Sequence, residues 1–137
     1  MRALSFALLL ASCAPEVGEP SPPIDAGPPV EFARDVRPIL DQRCKLCHYS
    51  TESSHPGTDA SGLDLSTLGA LRRGGNDTHQ NIVIPYAPEG SALVLKLRGT
   101  FTVGVRMPKN GPPYLSDEQI DLVATWIAQG AKGDDSE

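Results

Sequence analysis

The sequence CKLCH, from Cys44 to His48, places two thiols and one imidazole within five consecutive positions. Cysteines three positions apart lie about one helical turn from each other, so both thiols face the same side of a helix. The histidine that follows directly brings an imidazole to the same region. Because the whole chain has only three cysteines, this stretch carries most of its thiol chemistry, and we expect the fold to form around it.

The pattern C-x-x-C-H is typical of covalent attachment of a c-type haem. Cys44 and Cys47 would each add to one vinyl group at one edge of the porphyrin, and the rigid macrocycle sets the spacing of the two thiols. His48 would then lie beneath the iron as its proximal ligand. The sequence therefore predicts one haem c, held covalently by Cys44 and Cys47, with His48 as an axial ligand.

Other interpretations of the cysteine pair fit less well. A thioredoxin-like redox site would need a βαβ context, which the sequence does not indicate. A zinc site would need two further ligands at suitable spacing, and His55 and His79 have no second cysteine pair beside them. A disulfide between Cys44 and Cys47 would leave His48 unexplained.

The first residues indicate export from the cytoplasm. Residues 1–12 join a positive start to a short apolar stretch that ends directly before Cys13, and this ending resembles the lipobox of bacterial lipoproteins. We predict a signal peptide over 1–12 and a lipidated Cys13 that anchors the protein in the cell envelope, facing the periplasm or the cell surface. The absence of an aspartate after Cys13 favours the outer membrane. The alternative is an ordinary secretory signal with an incidental cysteine.

The candidate for the second iron ligand is Met107, the one methionine that remains after a signal peptide is removed. It precedes Pro108 in a segment rich in glycine and proline, and Pro108 favours extended backbone at Met107. Such a loop suits a thioether laid across a haem face, and Met/His ligation raises the reduction potential. The alternatives are a gap-filling role for Met107 in the core and ligation by His55 or His79, which lie in polar loops.

The remaining composition separates flexible ends from one domain. Residues 13–30 hold six prolines and no Lys or Arg, as expected of an extended tether, and residues 134–137 form an acidic tail that we expect to be solvated. The net charge of -5 belongs to these ends, since residues 31–133 carry 11 basic and 11 acidic residues. No basic surface for nucleic acid is indicated. A domain this small and poor in apolar residues needs a metal, a cofactor or a partner to be stable.

Apolar spacing predicts an all-α domain. One helical face is shared by Phe32, Val36 and Ile39, which predicts a first helix capped by Asp35. Residues 49–62 are typical of a loop, and short helices are expected over 66–73 and after Pro88. The last helix is the best defined, because a capping box precedes its apolar stripe and a glycine follows it. The residues concerned are Ser116 and Gln119 in the box, Ile120, Val123, Ala124 and Ile127 in the stripe, and Gly130 at the end.

Six segments occur in order along the chain: Phe32-x-x-Asp35-Val36-x-Pro38-Ile39-Leu40, Cys44-x-x-Cys47-His48, Gly62-Leu63-Asp64-Leu65-Ser66, Met107-Pro108, Leu115-Ser116-x-x-x-Ile120 and Trp126-Ile127-x-x-Gly130-Ala131. Together they make residues 31–133 resemble the monohaem, class I-like cytochrome c domains of bacterial surface and periplasmic proteins, including the planctomycete-type group. The resemblance implies a compact helical fold around one haem. Its first and last helices would cross near the haem edge, with Trp126 at the crossing or on the haem.

The function implied by this resemblance is one-electron transfer between redox proteins, not catalysis. Two alternatives stay open: a haem-based sensor of small ligands or accessory haem module of a larger redox enzyme, and a haem-free, zinc-binding surface lipoprotein. The candidate partners of the haem propionates are Arg72, Arg73, Arg98 and Arg106. A haem at the centre would also explain the thin core, so we expect the domain to be largely unfolded without it.

Overall fold

The computed structural model describes residues 27–137. The predicted signal peptide over 1–12, the predicted lipidation at Cys13 and most of the predicted tether over 13–30 lie outside the described residues. Within 27–137 the chain forms helices and turns but no strand, which confirms the all-α prediction for this part of the chain. No helix in the same residues is long and apolar enough to cross a membrane.

In the described part, the α-helices are α1 (Arg37–Arg43), α2 (Lys45–His48), α3 (Pro56–Ser61), α4 (Leu68–Arg73), α5 (Ala92–Arg98) and α6 (Asp117–Ala128). A π-helical turn, Phe32–Val36, precedes α1, and two 3₁₀ turns, His79–Ile82 and Pro88–Gly90, lie between α4 and α5. Only α6, with 12 residues, reaches the length at which an isolated helix is even marginally stable in water. The shorter helices therefore depend on tertiary packing.

The start of the first helix differs from the prediction. Asp35 does not cap α1, because it belongs to the preceding π-helical turn. Its carboxylate instead accepts the Glu31 N–H at 2.8 Å and pairs with Arg34 at 2.7 Å. These hydrogen bonds, from Arg34 first and Glu31 second, lower the pKa of Asp35. Pro38 still falls in the first turn of α1, where its missing N–H removes no helical hydrogen bond.

The prediction for the last helix is confirmed. The Ser116 hydroxyl accepts the Gln119 N–H at 3.3 Å, and the Gln119 side chain accepts the Ser116 N–H at 3.1 Å. Gly130 follows the helix at a φ of +100°, a backbone conformation that residues other than glycine rarely adopt. A Cβ at Gly130 would also lie 2.8 Å from the ring of Tyr86. Glycine is therefore required where the chain leaves α6.

The centre of the core lies where the N-terminal turn meets α6. Trp126 is fully buried, its ring lies 5.3 Å from that of Phe32 between centroids, and its indole N–H donates to the Lys132 carbonyl at 2.8 Å. The resemblance allowed two positions for Trp126, at the contact of the first and last helices or on the haem. In the structure it lies where α6 meets the π-helical turn that precedes α1.

Both ends of the described chain pack more closely than expected. The Val30 N–H donates to the Gln129 side chain at 2.8 Å. In the acidic tail, the Asp135 carbonyl accepts the Gly69 N–H at 3.0 Å, and the Asp135 carboxylate forms an ion pair with Arg72. The packed unit therefore extends beyond residues 31–133 on both sides, and the tail is not simply a solvated end.

Candidate functional site

A cavity of about 890 Å³ opens between α2, α3, α5 and the long loop that joins α5 to α6. Its wall is mostly apolar, and its volume falls in the roughly 300–1,000 Å³ range of pockets that bind organic ligands. The apolar side chains on this wall are Leu46, Leu63, Leu65, Ile82, Leu93, Leu97, Phe101, Val103 and Val105. We call this space the central cavity.

The fold brings the four residues predicted to hold the haem to this one cavity. Cys44, Cys47 and His48 line it from the region of α2, and Met107 lines it from the loop after α5. The two competing histidines are not on its wall. His55 lies beside Asp59, with 2.9 Å between Nδ1 and the carboxylate, and His79 is exposed in a 3₁₀ turn.

The two cysteines are free thiols and form no disulfide. Cys44 is half-buried and Cys47 is exposed at the cavity. Burial raises the pKa of the Cys44 thiol to about 12, although the nearby charge of Arg43 acts in the opposite direction. Thioredoxin-like sites lower the pKa of a cysteine in a C-x-x-C motif so that it is a thiolate near neutral pH. Cys44 has the opposite environment, which does not favour a dithiol redox site.

One nitrogen of the His48 ring, Nδ1, contacts a backbone carbonyl, and the other, Nε2, does not take part in this contact. Its Nδ1 lies 3.1 Å from the Leu63 carbonyl, which also accepts a hydrogen bond from the Thr58 hydroxyl at 3.0 Å. A hydrogen bond from Nδ1 fixes the ring orientation and leaves Nε2 with a lone pair, as in most histidines that bind a metal. The same segment binds the backbone of His48, since the Leu65 N–H donates to the His48 carbonyl at 2.7 Å.

Asp64 joins the residues after the CKLCH motif to this supporting segment. Its carboxylate accepts hydrogen bonds from the Ser50 hydroxyl at 2.6 Å and from the Ser66 N–H at 2.9 Å. Partial burial acts to raise the pKa of Asp64, but the hydrogen bonds from Ser50 and Ser66 outweigh it and lower the pKa. The charged carboxylate therefore helps to fix the segment that orients His48.

The helix α3 lies in a segment that the sequence predicted to be a loop. Pro56 begins it and Gly62, at a φ of +68°, ends it. Inside it, Gly57 packs directly against the imidazole: a Cβ at this position would lie 2.7 Å from Cε1 and Nε2 of His48 and from the Cys47 carbonyl oxygen. The missing side chain of Gly57 thus makes room for the histidine.

We expect Gly57→Ala to push the imidazole of His48 away from its position. Overpacking of this kind typically costs about 1–3 kcal/mol, and if His48 binds a haem iron as predicted, the displacement should also weaken that ligation. The variant is checked by denaturant unfolding and by the absorption spectrum of the haem-loaded protein. Gly90→Ala is the matched control, since a Cβ there would meet only Ile84, at 3.6 Å. Equal effects of the two variants would contradict this role of Gly57.

The structure places none of the four arginines proposed as propionate partners on the wall of the central cavity. Arg72 and Arg98 are engaged in ion pairs, the latter with Glu89 at 2.8 Å. Arg106 donates to the Leu97 carbonyl at 2.8 Å and lies over the ring of Tyr114 at 4.2 Å. The cationic residues that do line the cavity are Arg43, Lys96 and Lys109.

These three cations were missed by the sequence analysis. Arg43 directly precedes Cys44, and Lys109 follows Met107 by two positions, so proximity to the predicted ligands was the signal available. Lys96 had no such signal, because it is not next to a predicted ligand in the sequence. Only the fold brings it to the wall of the central cavity.

A second depression, of about 920 Å³, lies beside Arg37 and Tyr49 and is wider and more polar. It contains none of the predicted ligands. Among residues 27–137, no three His, Cys, Asp or Glu side chains are grouped closely enough to hold a metal ion, so this part of the chain offers no observation that favours the zinc alternative.

The residues on the central cavity fit the requirements of a c-type haem: two free thiols one turn apart, an imidazole oriented by a carbonyl, a thioether and a mostly apolar wall. This chemistry is assembled from segments that are far apart in the sequence. Comparisons of the chain with protein-family models, with curated proteins and with solved structures find no significant match.

Proposed function

We propose that this protein is a monohaem c-type cytochrome that carries single electrons outside the cytoplasm. The observation that supports it best is the meeting of Cys44, Cys47, His48 and Met107 on one mostly apolar cavity. Nothing in local sequence brings Met107 to the CKLCH segment, and only the tertiary fold does so. A chain that used the two cysteines for another purpose would have no need of this arrangement.

Each residue has a distinct role in the proposed site. Cys44 and Cys47 would hold the haem through thioether bonds, and His48 and Met107 would bind its iron. When bound, the haem supplies a centre that gains or loses one electron. The Leu63 carbonyl orients His48, and the apolar wall limits the access of water, which helps to set the reduction potential.

Binding of the iron by both His48 and Met107 would leave no open site on it for a substrate, which favours an electron carrier over an enzyme. The proposed partners are accordingly redox proteins that donate and accept electrons, and no nucleic acid is involved. We also propose that lipidation of Cys13 anchors the protein in the cell envelope, most simply at the outer membrane. The proline-rich segment after Cys13 would then separate the domain from the lipid surface.

The proposal is tested by producing the full chain, with its N-terminal segment, in a bacterium that has the machinery for haem c attachment. We expect one haem per chain that stays bound after denaturing electrophoresis, a Soret band, and reversible reduction and oxidation. The oxidised form should show the weak far-red band of sulfur–iron ligation. Absence of a Soret band from the exported protein would overturn the proposal. A five-coordinate haem spectrum would instead favour the sensor alternative.

A further inference from the structure

Lys96 of α5 contacts the loop that carries Met107 through both its side chain and its backbone. The Lys96 ammonium donates to the carbonyl of Val103 and, at 3.3 Å, to that of Val105. On the backbone, the Lys96 carbonyl accepts the Met107 N–H at 3.0 Å. The side chain and the main chain of one residue thus contact the loop at three points, and the last of these is Met107 itself.

Further features of the loop fit this attachment. Gly104, between the two bonded carbonyls, allows the ammonium to approach, since a Cβ there would lie 3.0 Å from Lys96 Nζ. The ring of Phe101 lies 5.2 Å from the same ammonium, within the distance of a cation–π interaction. Val103 and Val105 are 46% and 55% exposed, so hydrophobic burial does little to hold this part of the loop. Polar contacts to Lys96 hold this part of the loop instead.

The other cations on the cavity wall do not have this arrangement. Lys109 is exposed and lies on the loop itself, so it cannot tie the loop to a helix. Arg43 donates to the Pro113 carbonyl, which lies beyond Met107 in the same loop. Of the three cations, Lys96 alone bonds the part of the loop that precedes Met107. Its bonds are charge-assisted, and such bonds are roughly twice as strong as neutral ones.

We propose, on the basis of the haem site proposed above, that Lys96 is a positioning residue for the distal ligand. Its ammonium fixes the carbonyls of Val103 and Val105, and its own carbonyl fixes Met107, so that the thioether is held toward the central cavity. Without the ammonium the loop keeps its backbone contacts to α5 and the bond from Arg106 to the Leu97 carbonyl, but it loses both charged bonds to Val103 and Val105. Met107 then leaves the iron for a larger fraction of the time, and small external ligands can take its place.

The experiment compares haem-loaded wild-type protein with Lys96→Met, which keeps an apolar side chain of similar length and removes the ammonium. We expect the variant to retain its Soret band but to lose most of the far-red sulfur–iron band. Added imidazole should bind its oxidised form on the order of ten times more tightly, as expected from the loss of a charged hydrogen bond that holds the ligand loop.

Two further variants test whether the effect depends on the position of Lys96 or on the loss of any positive charge. Lys96→Arg restores a charged donor and should return the far-red band and the imidazole affinity toward wild type. Lys132→Met removes a lysine charge at an exposed position away from the central cavity and should leave both unchanged. If Lys96→Met yields no haem-loaded protein, Lys96→Gln is measured in its place, with the same expected loss.

The outcomes distinguish this role of Lys96 from the proposed function. A wild-type protein with haem and far-red band, together with a Lys96→Met variant that keeps both the band and its imidazole affinity, would overturn only the role of Lys96. Equal changes in Lys96→Met and Lys132→Met would overturn it as well, since loss of a positive charge alone would explain them. A wild-type protein without a Soret band would overturn the proposed function, and the role of Lys96 with it.

Discussion

Replacing Cys44 and Cys47 together by serine is expected to give a chain that carries no covalent haem and does not fold stably. Serine keeps the size and polarity of the site but cannot form the thioether bonds. The cavity of about 890 Å³ would then have nothing to fill it. The apolar wall that the haem would cover would then be exposed to water, and a small domain has little net stability to offset this loss of burial.

The double variant is compared with wild type by haem staining after denaturing electrophoresis and by circular dichroism during urea unfolding. We expect no stained band and no cooperative unfolding transition. Cys13→Ser is the control, because it removes a thiol outside the domain and should leave the haem and the transition in place. A double variant that unfolds at the wild-type urea concentration would show that the domain does not depend on haem.

Replacing Met107 by alanine is expected to remove the far-red sulfur–iron band and to lower the reduction potential. A thioether stabilises the reduced iron, so its loss favours the oxidised state. Axial ligands tune haem potentials over about 0.8 V, and we expect a decrease on the order of 0.1 V or more. Voltammetry of the two proteins measures this difference directly.

Val105→Ala provides the matched control for Met107→Ala. Val105 lines the same cavity from the same loop but has no atom that can bind iron. It should shift the potential by much less and leave the far-red band intact. An unchanged band and potential in Met107→Ala would exclude Met107 as a ligand.

The elements that could be predicted from sequence are those with local signals. The capping box at Ser116 and Gln119 and the glycine beyond α6 depend on residues a few positions apart, and the structure bears them out. The helix α3 was missed because its six residues, PGTDAS, have no apolar periodicity and depend on packing against α2. The π-helical entry to α1 was missed because the same apolar spacing suits an α-helix.

The predictions for the site divide in the same way between local motifs, which the sequence shows, and long-range contacts, which it does not. Cys44, Cys47 and His48 form a contiguous motif, and Met107 was found because no other methionine remains after the predicted signal peptide. Charge contacts have no such local pattern, so Arg72 and Arg98 were named as candidate propionate partners, whereas the fold pairs them with Asp135 and Glu89. The support of His48 by the Leu63 carbonyl was also invisible, since any residue has a carbonyl.

The attachment of Val30 to Gln129 has a mechanical consequence. If the domain is tethered by its N-terminal segment, a pull on that segment reaches the Val30–Gln129 hydrogen bond and the contact of Phe32 with Trp126 before it reaches α1. The load is therefore shared with the C-terminal helix. Tension reaches Cys44 only after these contacts break, so the cysteines and His48 are shielded from forces that act along the tether.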